Sequence, residues 1–137
     1  MFDQPLLTPI NNKEYFLVND FMYQWQYGGE TYRVCIHKGF ITDGASIPRW
    51  CWSLAGLTPD GLYRAAAVVH DFFYQFRGSP PIGQYLKLVE GLWVETTALT
   101  RKECDDLFLR IMVEAGVDSW KAKTMYRAVR IFGAFAW

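Results

Sequence analysis

A chain of 137 residues has the length of one domain and is long enough to bury one hydrophobic core. Its 51% apolar and 20% charged residues exclude a disordered or fibrous class, and fourteen basic residues against fourteen acidic ones leave no net field to gather nucleic acid or anionic lipid. Three scattered cysteines, Cys35, Cys51 and Cys104, form no CxxC pair, which argues against a disulfide framework or structural zinc and for a reducing compartment.

The opening MFDQPLLTPINNKEY carries an acid and no apolar run of signal-peptide length, so export by the usual secretory route is not expected. No later segment approaches the length of a membrane span, so no transmembrane segment is expected either. Phe21, Tyr23, Trp25 and Tyr27 alternate with Met22, Gln24 and Gln26, the period of a half-buried strand. Gly28-Gly29 supplies a turn that tolerates positive φ, and Tyr32, Val34 and Ile36 then alternate with Arg33, Cys35 and His37. This predicts a β-hairpin, to which Tyr15 to Val18 adds a third antiparallel strand. The second strand runs into a structured loop, Gly39-Phe40-Ile41-Thr42-Asp43-Gly44-Ala45-Ser46-Ile47-Pro48-Arg49, broken by Gly44 and Pro48, and then into a short helix around Trp50 to Leu54.

Leu62, Ala65, Ala66, Val69, Phe73 and Phe76 recur at helical steps and predict an amphipathic helix from Pro59 to Phe76, with Thr58 as N-cap. After Gly78 and Pro80-Pro81, the stretch Tyr85 to Glu95 turns at Glu90-Gly91 into a second small hairpin. Thr100 and Glu103 form a capping box that opens a helix running through Ala115 to Gly116. Asp118 or Ser119 then caps a final helix that reaches Phe132. That last helix carries the one basic row, Lys121, Lys123, Arg127 and Arg130, which reads as a solvated face, so no nucleic-acid partner is expected. With no repeat, low-complexity tract or linker, residues 1–137 read as a single α+β domain, an N-terminal antiparallel β-hairpin or small sheet packed on three principal helices.

Six Trp, eight Tyr and ten Phe make up 18% of the chain. Such rings fill a core, or they form a contact surface for a protein or sugar partner. At about 3.6 residues per turn, His70 borders the apolar stripe of its helix, and Asp71 lies roughly a quarter-turn further round with Arg64 and Gln75. Between them runs a lane of Tyr63, Ala67 and Tyr74, over which a ligand would meet both His70 and Asp71. On the next helix Asp105 sits at the edge of the apolar face, whereas Asp106 points away. If the two helices pack antiparallel, Asp105 accepts a hydrogen bond from one ring nitrogen of His70 and leaves the other for a water or a metal. Asp43 and Ser46 have the residue types of an Asx turn, which alone accounts for them. In a functional version Asp43 joins Asp71 around a divalent cation, and Ser46 lines the site without acting as nucleophile, since no GxSxG elbow surrounds it. A buried His-Asp network that merely holds two helices together accounts for the same residues. His37, alone on its strand, reads as a surface residue.

The loop Gly39 to Arg49, the run His70-Asp71-Phe72-Phe73-Tyr74, Arg101 with Asp105 and Phe108, and the closing Met125-Tyr126, Val129-Arg130 and Gly133 resemble, in order, domain-of-unknown-function family 1353. These are small proteins found mainly in phage and prophage genomes, and the resemblance spans residues 38 to 133. A looser similarity is to phospholipase A2-like proteins, in which a histidine positions water, the adjacent aspartate binds calcium and a distant aspartate orients the histidine. It implies those roles for His70, Asp71 and Asp105, although this chain has no cysteine pairs beside the motif and no glycine-rich calcium loop. The resemblances together imply a phage-encoded accessory protein, and its sharpest specific form is a metal-assisted hydrolase. The rivals are a non-catalytic tail or baseplate component packed on other phage structural proteins, and an inhibitor of a host protein. Either the host cytoplasm or the virion would be its place.

Overall fold

The computed structural model describes residues 3–11, 14–42 and 63–137. Strands β1 (Leu7–Pro9) and β2 (Tyr15–Leu17) precede a long hairpin of β3 (Phe21–Tyr27) and β4 (Glu30–Ile36), and the short β5 (Ile41–Thr42) follows it. The hairpin pairs Phe21 with Ile36 through to Tyr27 with Glu30. Gly28 and Gly29 close it at φ of 60° and 80°, the two positive values that a two-residue turn matched to strand twist requires. Phe21, Tyr23 and Trp25 point into the core and Met22, Gln24 and Gln26 point out, as the alternation predicts. Tyr27 leaves that pattern and is 65% exposed.

The strand predicted at Tyr15 to Val18 is present, but it does not extend the hairpin. It lies between β1 and β5 in a separate three-stranded antiparallel sheet. After a turn at Gly39, β5 doubles back so that Phe40 O accepts from Leu17 N and Leu17 O accepts from Gly39 N. The free edge of β4 is taken instead by β6 (Tyr85–Val89), with β7 (Leu92–Glu95) outside it, giving the order β3-β4-β6-β7. The second predicted hairpin, turning at Glu90-Gly91 with φ of 50° and 81°, is therefore the outer half of the main sheet.

Among the described residues three helices follow the strand-rich N-terminal part: α1 (Arg64–Gln75), α2 (Arg101–Glu114) and α3 (Ser119–Phe132), which ends in a 3₁₀ turn at Gly133–Phe135. The helix start predicted at Thr58-Pro59 and the short helix around Trp50 to Leu54 lie outside the described residues. A one-sided apolar stripe was the expectation for α1, but every residue from Ala65 to Tyr74 is buried. The helix is central: α2 packs on it, and β4 and β5 also touch it. A helix enclosed all round must also bury its polar positions, which is why Asp71, off the apolar stripe by helical spacing, is only 3% exposed.

Helix α2 starts with both halves of its capping box in place: Thr100 Oγ1 accepts from Glu103 N at 3.1 Å and Glu103 Oε1 accepts from Thr100 N at 2.9 Å. Gly116, at φ 92°, turns the chain into α3. Asp118 occupies the N-cap position of α3 without a side-chain cap bond. Tyr74 meets the start of α2 and His70 its second turn, so α1 and α2 run antiparallel, as do α2 and α3. Phe73, Phe108, Ile111, Met112 and Met125 are fully buried between them. Among the described residues no helix is long and apolar enough to cross a membrane.

Candidate functional site

The polar residues singled out on α1 and α2 converge on one carboxylate. Asp105 falls among Cys104, Leu107 and Phe108 on the buried side of α2, and its own exposure is 0%. Its Oδ1 accepts from His70 Nε2 at 2.7 Å and from the Tyr74 hydroxyl at 2.6 Å. Its Oδ2 accepts from an Arg130 guanidinium nitrogen at 2.7 Å, with Arg101 at 3.5 Å. A carboxylate offers about four lone-pair positions; three hydrogen bonds occupy three of them, and the Arg101 guanidinium pairs with the charge at longer range. With three donors and two guanidiniums around it, Asp105 is committed to orienting its neighbours.

Arg101 also clamps the end of α3, donating to Val129 O and Arg130 O, each at 3.1 Å. One carboxylate thus ties three helices. The i,i+4 spacing made Arg101 a legible partner for Asp105, whereas Arg130 belonged to the row read as a solvated face. Arg130 instead turns inward, leaving its side chain 30% exposed. Gly133 closes this corner, because a Cβ there would lie 2.7 Å from the Tyr74 hydroxyl and 3.3 Å from Arg101. Among the described residues the rings of Tyr74 and Phe108 also pack against His70, at 4.2 Å and 4.6 Å between centroids.

Protonation follows from these contacts. Burial pushes the His70 imidazole below its ordinary range, against the pull of Asp105, and the charge of Arg101 adds to the depression. Burial works against ionisation of Asp105, but the bonds from His70, Tyr74 and Arg130 outweigh it and hold the carboxyl below the usual range. Two guanidiniums beside one carboxylate leave no electrostatic place for a third cation, so His70 is neutral. Because an ionised carboxylate can only accept, Nε2 carries the proton and Nδ1 the lone pair. Burial also raises the Tyr74 phenol far above its ordinary value, so it stays a donor.

The other predicted site residues fare differently. Tyr74, expected to face a ligand, instead donates to Asp105. The lane of Tyr63, Ala67 and Tyr74 is covered, at 7%, 3% and 2% exposure, so it is not the open groove that helical spacing alone suggested. Asp71 Oδ2 accepts from Gln75 Nε2 at 3.3 Å, and Gln75 also donates to Ile41 O at 3.1 Å, which ties this side of α1 to β5. Asp43 and Ser46 lie outside the described residues. Among the described residues no three histidine, cysteine or acidic side chains gather as a metal site. His37 is exposed, as expected.

Comparison with known proteins agrees with the motif-level resemblance. A family described as "protein of unknown function (DUF1353)" matches residues 15–129. An uncharacterised protein, y4jT, of Sinorhizobium fredii (strain NBRC 101917 / NGR234) is 35% identical over 98 residues, which cover 72% of this chain and 23% of that protein. The matched region thus spans under a quarter of the curated relative's length. No solved structure matches.

Proposed function

We propose that this chain, which belongs to the DUF1353 family of proteins of unknown function, is a phage-encoded, metal-assisted hydrolase in which His70 activates a water. The observation that carries this reading is the 2.7 Å bond from His70 Nε2 to a carboxylate that Tyr74 and Arg130 also hold in place. A base must be neutral at working pH, fixed in one tautomer and held in orientation, and the surroundings of His70 meet all three conditions. Asp105 is then a positioning residue. Asp71 is the carboxylate assigned to the cation, and Asp43, which follows β5 directly in sequence, is its candidate partner. The cation would polarise the bond to be cleaved and help to ionise the water.

A non-catalytic role as a phage structural component is the second reading, favoured by one fact: the His70 side chain is fully enclosed. On that reading the network only fastens three helices. One comparison separates the two. A glutamine at 70 can still donate to Asp105 but cannot act as a general base near neutral pH. Wild type, His70→Gln and Asp71→Asn are assayed on p-nitrophenyl butyrate and bis-p-nitrophenyl phosphate with calcium, magnesium or zinc, and melted with and without each metal. A metal-dependent rise in Tm that Asp71→Asn abolishes, with turnover that His70→Gln abolishes at near-normal stability, is the expected result. No metal effect on the wild type, with no turnover of either ester, would leave the structural reading standing.

A further inference from the structure

The four-stranded sheet ends at β3 on one side and at β7 on the other. The two edges are not alike. β7 is four residues long and ends in Glu95, the usual protection of an edge by shortness and charge. β3 runs seven residues, Phe21 to Tyr27, pairs residue for residue with β4, and carries no charge and no proline. The Gly28-Gly29 turn fixes which of its backbone groups are spent. A two-residue turn closes on a hydrogen-bonded pair, here Tyr27 with Glu30, and such pairs recur at every second residue. Phe21, Tyr23 and Trp25 therefore bond to β4, while Met22, Gln24 and Gln26 aim their N–H and C=O groups off the edge. The same count turns Cys35 away from β3, and its N–H does donate to Gln84 O at 2.8 Å on the far side. Among the described residues nothing bonds to the backbone of Met22, Gln24 or Gln26, and all three are exposed.

A groove follows this edge, between Gln24, Trp25 and Gln26 on β3 and Arg110, Val113 and Glu114 on α2. Tyr23 donates to Glu114, and Trp25 and Tyr27 share a neighbouring cleft with Arg110, so α2 runs alongside β3 in the opposite direction. Arg110 thus stands at the Trp25 end of the groove and Glu114 at the Tyr23 end. Val113, beside Glu114, is 56% exposed. The Tyr23 hydroxyl engages the Glu114 carboxylate. The exposed Arg110 guanidinium has neither a hydrogen bond nor an ion pair among the described residues. The groove therefore offers an extended row of backbone donors and acceptors, one unanswered positive charge and one apolar side chain.

We propose that β3 and α2 bind an extended segment of a partner protein, which joins the sheet as an antiparallel fifth strand. Its backbone pairs with Met22, Gln24 and Gln26, and every second side chain turns toward α2. Alternate residues of a strand lie about 7 Å apart, and residues i and i+3 on a helix about 5–6 Å, so two successive inward side chains meet Arg110 and Val113. The charge at Arg110 selects an acidic residue opposite Trp25, and Val113 selects an apolar one opposite Tyr23. Along an antiparallel strand the acid comes first and the apolar residue two positions later. A second copy of this chain fits less well. Its own α2 overhangs its β3 through the same Tyr23–Glu114 bond, so it would bring a whole helix to a groove where an extended segment brings only side chains.

The probes are the peptides acetyl-STETVTS-amide, acetyl-STETLTS-amide and acetyl-STETFTS-amide, titrated into ¹⁵N-labelled protein. At least one should bind saturably, with a Kd of about 0.1 mM or tighter, shifting the amide signals of Met22, Gln24 and Gln26 and slowing their hydrogen exchange. N-methylation of the threonine between the acid and the apolar residue removes a donor that faces β3, and should weaken binding at least about ten-fold. N-methylation of the acid, whose amide faces away, should change it by less than about three-fold. Arg110→Glu, at an exposed position, should keep the wild-type Tm and reverse the preference toward peptides with lysine in place of the acid. The proposal is overturned if none of the three peptides binds saturably, if the two methylations act alike, or if wild type and Arg110→Glu rank the acidic and lysine peptides in the same order. A free protein that sediments as a dimer, with the amides of Met22, Gln24 and Gln26 already protected, would equally overturn it, because a second copy would then hold the edge.

Discussion

Removing the Asp105 carboxylate is the most revealing single perturbation of this fold. In Asp105→Ala, His70, Tyr74 and Arg130 each lose an acceptor at 2.7 Å or less, and two guanidiniums face one another without a counter-charge. Hydrogen bonds to charged groups are worth about 1.5–3 kcal/mol each, but donors sharing one acceptor are not additive. Breaking a buried ion pair from one side costs about 3–5 kcal/mol, and that is the expected loss. Asp105→Asn is nearly isosteric and sorts the donors. Its carbonyl can replace Oδ1 and keep both His70 and Tyr74, whereas its amide nitrogen meets Arg130 donor to donor, so a loss of about 2–3 kcal/mol follows. Urea denaturation monitored by far-UV circular dichroism measures both variants. Against a total of about 5–15 kcal/mol for a domain, either loss is readily resolved. A double-mutant cycle of Asp105→Asn with Arg130→Gln should show coupling of at least about 1 kcal/mol. If Asp105→Asn stays within about 0.5 kcal/mol of wild type and the cycle shows no coupling, the carboxylate does not fasten the three helices.

Three further outcomes are expected. Because the folded-state pKa of His70 is depressed, the unfolded chain takes up the proton first, so Tm in the presence of a chelator should fall as pH drops below about 6.5. His70→Gln should flatten that step and keep the second decline, below about pH 4, that the depressed pKa of Asp105 predicts; an unchanged profile between pH 7 and 5 would contradict a neutral, buried His70. Gly133→Ala, whose Cβ would sit 2.7 Å from the Tyr74 hydroxyl, should cost about 1–3 kcal/mol by overpacking, and an unaltered melting curve would show that this corner yields freely. Thr100→Ala removes the side-chain half of the capping box and should cost about 1 kcal/mol, with Thr100→Ser close to neutral in the same melts.

Local pattern was enough wherever one segment carries its own instruction. The alternation from Phe21 to Tyr27, the two glycine turns, and Thr100 with Glu103 each specify dihedrals or caps within a few residues, and each element formed where its residues placed it. The pairing of His70 with Asp105 was legible too, because helical spacing puts both beside apolar stripes that must face one another. What spacing cannot carry is the identity of the neighbour. Nothing within Tyr15 to Leu17 chooses between joining the hairpin and joining β1 and β5, since every strand edge offers the same backbone groups. The run Ala65 to Val69 with Phe72-Phe73-Tyr74 leaves α1 apolar almost all round, the mark of an enclosed helix, but helical spacing alone made Asp71 and the lane over Ala67 look open, and both are buried in the fold. Arg130 shows the same limit from the other direction. A cation on a helix surface reads as solvated until a buried carboxylate on the next helix comes within 2.7 Å of it, and only tertiary packing brings that carboxylate there.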